Sequence, residues 1–296
     1  MTRADAIPQR KAAGAAQTAT PRGGRRWSLG SVWLHLALII GLILLVGPFI
    51  WMLLGSFKPT PEIRQVPPTW LPANPTVQNY GDLLAKRNFP LYFLNSVIVA
   101  FAVTAGNLVF CSMLGYALAK LRFPGKRLIF LLVLGMLMVP GVVTFIPLFV
   151  LVSNLGLANT YLGLMLPFLA GPFGVFLMRQ FIGELPDELI DAARVDGATE
   201  YYIFARIILP LSGPALATLG ILTFLASWNS FLWPLVVAGE DHYTLPVALA
   251  LFSVGQNSTN FGLLLAGAVV VVLPVLLVFL ALQRYFTQGI AMTGFK

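Results

Sequence analysis

Acidic side chains are scarce in this chain: eleven Asp and Glu stand among 296 residues, and charges of either sign make up only 10%. A soluble domain carries roughly 25% charged residues, so a water-bathed globule is excluded. The 58% hydrophobic content and a mean hydropathy of +0.84 indicate an integral membrane protein. Cysteine is almost missing as well, and the single Cys111 permits no intrachain disulfide. Several motifs are absent. Without a GxxxxGK[ST] loop the chain has nothing to cradle the phosphates of ATP. Without HExxH, GxSxG or a pair of intramembrane aspartates it has no basis for intramembrane hydrolysis. No Asp or Glu falls inside the long apolar runs, whereas ion-coupled carriers place ionisable groups near the midplane.

What is there is a series of continuous apolar runs, long enough for helices that need about 20 residues to cross a bilayer. Alternating ten-residue strands are lacking, so the fold class is an all-α polytopic membrane protein. Six transmembrane helices are expected near Val32–Gly55, Tyr92–Ala119, Leu128–Val152, Tyr161–Phe181, Pro214–Ala238 and Phe261–Leu282.

Lys and Arg orient these spans, because basic loops stay in the cytoplasm. Of nineteen, fifteen fall on one side: six before the first span, four in the turn Lys120–Arg127, three around 179–206, and Arg284 with Lys296. Only Lys58, Arg64, Lys86 and Arg87 fall on the other. Both termini are therefore expected in the cytoplasm. The net charge of +8 is spread over juxtamembrane loops and forms no single basic face, so it suits anionic lipid and not nucleic acid.

In chain order, residues 1–31 are expected as a disordered basic cytoplasmic tail. Residues 32–287 would form the membrane domain, and 288–296 a cytoplasmic C-terminal tail. His35 in the first span reads either as a proton relay or as a packing group near the interface. An external loop over 57–90 has six prolines before Tyr80 and is expected to run extended. Ala102, Ala105, Gly106 and Gly115 in the second span would let helices approach closely. The third span is broken at Val139-Pro140-Gly141 and at Pro147, the fourth at Pro167 and Pro172, which suits helices lining a bundle interior. In the fifth, Trp228, Asn229, Ser230 and Trp233 offer amide, hydroxyl and ring groups for a polar solute. Helix–helix hydrogen bonding by Asn229 and interfacial anchoring by the tryptophans account for them equally well.

Six of the eleven acidic residues crowd between Glu184 and Glu200, inside the segment 184–213. Pro186 suits a first helical turn, while Asp187 and Glu188 favour the positive end of the helix dipole. Gly197 can take the left-handed conformation that stops a helix, Thr199 can cap the next, and Pro210 limits it. Two short helices bent at Gly197 are predicted. Leu189, Ala192, Ala193 and Asp196 fall at helical spacing on one side of the first. A helix-turn-helix that reads DNA is set aside, because its acidic first helix would repel phosphate.

The residues Asp191-Ala192-Ala193, three more, Gly197, nine more, then Ile207-Ile208-Leu209-Pro210 resemble the signature loop of ABC-importer permease subunits. The chain departs from that pattern only where Asp191 replaces Glu. The blocks NSVIVA, GYALAKLRFPGK, FGVFLMRQFI, SWNSFLWPLVV, TLPVALALF and QRYFTQGI are similar to the carbohydrate-type branch, with the six-span maltose-type partner the most similar.

That resemblance implies a type I ABC importer permease fold and a bacterial or archaeal cytoplasmic (inner) membrane. It implies a second permease subunit, commonly a different homologous chain, two ATPase subunits and an extracytoplasmic sugar-binding protein as partners. No cofactor would be bound by this chain, and ATP with magnesium would be used by the ATPase. The helix pair 186–209 would be a coupling element. Ala192 and Ala193 would permit close contact there, Asp191, Arg194 and Asp196 would set orientation, Gly197 would hold the bend, and Ile207, Leu209 and Pro210 would complete the signature. The cargo would be a sugar or polyol. Another polar organic solute, or a secondary carrier, is the alternative.

Overall fold

The computed structural model describes residues 29–85, 88–253 and 260–293, so the tail expected over 1–31 lies outside the described residues up to position 28. By its internal contacts the chain divides into two units, Met1–Phe49 and Ile50–Lys296. The described part of the first unit belongs to helix α1 (Leu29–Ser56), whose apolar side chains are largely exposed. Within it the His35 ring donates from Nδ1 to the Ser31 carbonyl at 2.6 Å, one turn back along its own helix.

The second unit continues through α2 (Thr60–Ile63), α3 (Gln78–Ala85), α4 (Phe89–Lys120), α5 (Lys126–Met138), α6 (Gly141–Asn154) and α7 (Tyr161–Met165). Then follow α8 (Pro172–Gly183), α9 (Asp187–Val195), α10 (Glu200–Ile203), α11 (Leu209–Leu211), α12 (Gly213–Trp228), α13 (Leu232–Val237), α14 (Leu245–Ser253) and α15 (Phe261–Thr293). Among the described residues every regular element is helical.

Three stretches are long and apolar enough to cross a bilayer singly: Gly30–Ser56, Phe89–Lys120 and Phe261–Ala281. Three bent helix pairs bring the number to six if each counts as one crossing. Lys126–Met138 and Gly141–Asn154 meet at 105°, because Pro140 has no N–H to continue the helix and holds Val139 in an extended conformation. Pro147, expected as a second break, sits inside α6. Tyr161–Phe168 and Pro172–Gly183 meet at 41°, with Pro167 in a 3₁₀ turn and Pro172 opening α8. The expected fifth span Pro214–Ala238 divides differently, since α12 stops at Trp228 and α13 begins at Leu232. Helix α15 runs past Arg284 to Thr293, through most of the segment expected as a separate tail.

Helix α4 organises the second unit and packs most extensively against α8 and α12. Its fit against α8 and the turn ahead of it depends on missing side chains. A Cβ on Gly106 would lie 2.9 Å from the Leu169 carbonyl oxygen, one on Gly115 2.9 Å from the Arg179 nitrogen, and one on Gly174 2.8 Å from Cys111 Sγ. Buried amides on α4 satisfy the backbone at the breaks. Asn95 donates to the carbonyls of Asp241 and Tyr243, both at 3.0 Å, and accepts from the Tyr161 hydroxyl at 2.5 Å. Asn107 donates to the Phe168 carbonyl at 2.6 Å, where α7 gives way to α8. Irregular backbone inside a membrane protein requires such partners.

The segment 57–90, expected to run extended, instead folds around two buried charges. Glu62, 5% exposed, accepts the Ala73 N–H at 2.8 Å and the Asn74 N–H at 3.4 Å. Lys58, 3% exposed, donates to the Thr69 carbonyl and to Thr69 Oγ1. Asn79 closes the base by donating to the carbonyls of Ser56 and Lys58, both at 2.8 Å. The Ala73 N–H, with smaller help from Asn74 and Lys58, holds the Glu62 carboxyl below the usual glutamate range.

Candidate functional site

The charged segment 184–213 is built as a bent bracket on the end of α4 and α8. Pro186 stands just ahead of α9 as its extended N-cap residue, not in its first turn, so Asp187 and Glu188 open the helix where its free N–H groups point. Lys120, the last residue of α4, donates to Asp187 Oδ1 at 2.6 Å and to the Leu185 carbonyl at 2.5 Å. This hydrogen bond and charge keep the Asp187 carboxyl below the ordinary aspartate range.

Helix α9 ends as a left-handed glycine requires. Gly197 has φ +79, its N–H reaches the Arg194 carbonyl at 3.0 Å, and the Ala198 N–H reaches the Ala193 carbonyl at 2.9 Å. Thr199 then caps α10, its hydroxyl accepting the Tyr202 N–H. Between α10 and α11 the backbone widens into a π-helical stretch, Phe204–Ile208, directly ahead of Pro210. A proline inside a helix deprives a carbonyl of its donor and crowds the turn before it. The wider turn places Pro210 without ending the helix, so the helical run continues to Leu211 and stops at Ser212.

Ile190, Ile203 and Ile208 are each at most 2% exposed and join one apolar cluster with Cys111 of α4, Met178 and Ile182 of α8 and Leu219 of α12. Ala193 and Ile207 pack against that cluster. Of the alanine pair, Ala193 is thus committed to its own chain, while Ala192 is exposed beside Leu189, Val195 and Asp196. Tyr201 and Tyr202 are also exposed, at 81% and 55%. Asp191, Arg194 and Glu200 form a polar edge. Arg194 Nε donates to Glu200 at 2.8 Å and Nη1 to Asp191 at 3.2 Å, and the Glu200 hydrogen bond raises the guanidinium pKa. Leu209 is half-buried and Pro210 exposed. An open cavity of about 680 Å³ separates α9 from the turn after α4, with Lys120, Arg122 and Lys126 facing Asp187, Asp191 and Glu200.

The residues considered for a solute path do not share one surface. Trp228 is 1% exposed, stacks on Phe224 and donates its indole N–H to the Val271 carbonyl at 3.0 Å. Trp233 is 5% exposed and donates to the Gly163 carbonyl at 3.2 Å. Both rings belong to the chain's own core. Asn229 and Ser230 lie at the gap between α12 and α13, with Asn229 exposed and its amide donating to the Leu225 carbonyl at 2.9 Å. No group of His, Cys, Asp and Glu among the described residues could hold a metal ion.

Sequence reasoning singled out the bracket but not its supports, Tyr116, Lys120 and Glu200. The signal for the first two was present in the block GYALAKLRFPGK, in which an aromatic and a lysine close a long apolar helix.

The family model described as binding-protein-dependent transport system inner membrane component matches residues 111–292, more than half of the chain. The arabinooligosaccharides transport system permease protein of Halalkalibacterium halodurans is 42% identical over 85% of this chain and 91% of its own length. The diacetylchitobiose uptake system permease protein of Streptomyces coelicolor is 35% identical, with 88% of each covered. A crystal structure of a bacterial ABC transporter involved in alginate import superposes with a TM-score of 0.81 at 25% identity, over 90% of this chain and 100% of that one. The bent helix pairs, the bracket at Gly197 and these likenesses agree: the chain belongs to the binding-protein-dependent transport system inner membrane components and has the type I ABC importer permease fold.

Proposed function

We propose that this chain is one permease subunit of an ATP-driven importer that takes a sugar or related polyol, delivered by an extracytoplasmic binding protein, across the inner membrane. The sugar reading draws on relatives named for arabinooligosaccharides and diacetylchitobiose. A polar organic solute of another kind is the second reading, favoured by a Yersinia pestis relative named for sn-glycerol-3-phosphate, 33% identical over 88% of this chain.

The observation that carries the mechanism is the bracket 184–213, which turns an exposed face outward while three isoleucines fasten it to α4, α8 and α12. On the outer face Leu189, Ala192 and Val195 leave a low, apolar strip that another protein can cover, and Asp196 gives it a charged rim. An ATPase subunit docked there would use ATP and magnesium on its own chain. Its closure would carry α9 with it and shift the population between inward- and outward-facing states. Both termini and the bracket lie in the cytoplasm on this reading, and a second permease subunit completes the path.

The test is purification of the tagged chain in mild detergent with its co-expressed partners, followed by reconstitution. Recovery of an ATPase and a solute-binding protein, with ATP hydrolysis stimulated by the loaded binding protein, is expected. Recovery of neither, or transport that persists without an ATPase, would overturn the assignment. Titration of the binding protein with sugars and glycerol-3-phosphate separates the two solute readings.

A further inference from the structure

Apolar packing holds the bracket onto the membrane helices, but it does not fix an angle. Contacts among Ile190, Ile203, Ile208 and Met178 have no direction and tolerate sliding. The corner at Gly197 is open on its own account, since no heavy atom lies within 4 Å of where a Cβ would stand. A force applied to α9 could be absorbed there as bending.

Three polar side chains cross this corner. Arg194, in the last turn of α9, donates through Nε to one Glu200 oxygen at 2.8 Å and so spans the glycine. The other Glu200 oxygen accepts the Tyr116 hydroxyl at 2.5 Å. Tyr116 belongs to α4, is 4% exposed, and lays its ring against Phe204 at 5.6 Å. Arg194 is tied in turn to Asp191 on its own helix. Charge-assisted hydrogen bonds are short and directional, and a carboxylate shared between a guanidinium and a hydroxyl fixes both partners. Phenylalanine would fill the Tyr116 site as well by shape, so the hydroxyl serves direction more than volume.

We propose that Tyr116, Glu200 and Arg194 form a strut that braces the Gly197 corner and delivers displacement of α9 into α4. They are positioning residues for transport coupling, and the inference rests on the reading of the bracket as the ATPase-docking element. The neighbouring Lys120–Asp187 pair lacks this arrangement, because it joins α4 to the near end of α9 and does not cross the corner.

The experiment uses the assembled importer in lipid nanodiscs or proteoliposomes and reads solute imported per ATP hydrolysed, with subunit retention and melting temperature measured alongside. Tyr116→Phe is expected to assemble normally and to lower import per ATP about fivefold, the effect of one lost charge-assisted hydrogen bond. Glu200→Gln, which keeps the shape and two hydrogen-bonding atoms, is expected to fall between wild type and Glu200→Ala. Tyr116→Phe added to Glu200→Ala is expected to cost nothing further. Unchanged import per ATP in both Tyr116→Phe and Glu200→Ala overturns the strut, as does a loss matched by falling assembly in every variant. Wild type that assembles no ATPase overturns the docking reading itself, and the strut with it.

Discussion

The Lys120 ammonium lies 2.6 Å from the Asp187 carboxylate, joining the last residue of a long membrane helix to the first residue of the exposed helix α9. Lys120 is 6% exposed in its side chain and Asp187 74%, so the pair has one buried and one solvated end. Lys120 also holds the Leu185 carbonyl, which makes it a clamp on the turn between α8 and α9. Truncating Asp187 removes a largely solvated partner, worth about 1 kcal/mol or less. Truncating Lys120 also strips the Gly183 and Leu185 carbonyls of a donor. Lys120→Met is therefore expected to lower the melting temperature of the purified chain more than Asp187→Asn, by thermal unfolding in one detergent.

Gly197 tests the bend. Its φ of +79 costs an L-residue roughly 1–2 kcal/mol, but the space beside it is open. Gly197→Ala should therefore fold with a modest stability loss, whereas Gly197→Pro cannot adopt the required φ. Stimulated ATP hydrolysis is expected to fall further in the proline variant than in the alanine variant, with subunit co-purification showing whether assembly persists.

At Gly115 the obstacle is backbone. A Cβ there would lie 2.9 Å from the Arg179 nitrogen and 2.7 Å from Met178 Cβ, neither of which is the end of a flexible side chain. Gly115→Ala is expected to destabilise by about 1–3 kcal/mol through overpacking. Gly135 has nothing within 4 Å, so Gly135→Ala serves as the control in the same thermal assay.

The folded segment around Glu62 carries a pH signature. Glu62 has a carboxyl pKa held below its ordinary value by the Ala73 N–H, so the unfolded chain binds its proton more readily than the folded one. The stability it adds is present above the ordinary glutamate pKa and is lost as pH falls through the lower folded value. Glu62→Gln should lose stability near neutral pH, and its gap to wild type should narrow on acidification below the ordinary glutamate range. Melting curves across that range check this.

Trp228 and Asn229 are neighbours with opposite expected phenotypes. Trp228→Ala leaves a cavity beside Phe224 and removes the indole hydrogen bond to the Val271 carbonyl, so a stability loss of about 3–5 kcal/mol is expected. Asn229→Ala removes an exposed side chain and is expected to leave melting unchanged within about 0.5 kcal/mol. Any change it makes to transport then reports on the solute path, measured as import at saturating and limiting binding protein.

Local chemistry was readable where one residue has few alternatives. Only glycine suits φ +79 at position 197, a threonine before an acidic helix start is a cap, and Val139-Pro140 breaks a helix by geometry. Long-range partners were not readable. The proline-rich segment 57–90 reads as extended because the donors that fold it around Glu62 are backbone N–H groups eleven and twelve residues on. Trp228 and Trp233 looked like candidate stacking rings because helices apolar on every side do not reveal which face meets the chain's own core. The same ambiguity put Ala193 beside Ala192, although only the latter is exposed. The π-helical stretch answers a crowding at Pro210 that spacing alone does not express.

The glycines between α4 and α8 carry a further consequence for how such a molecule can move. A Cβ at Gly106 or Gly115 would meet backbone at 2.9 Å and one at Gly174 would meet Cys111 Sγ at 2.8 Å, so the two helices lie too close for either to roll past the other without collision. The two act as a single keel. Rearrangement during a transport cycle then belongs to the joints around it, at Val139–Pro140, Leu169–Gly171 and Asn229–Phe231, where the helices are already interrupted.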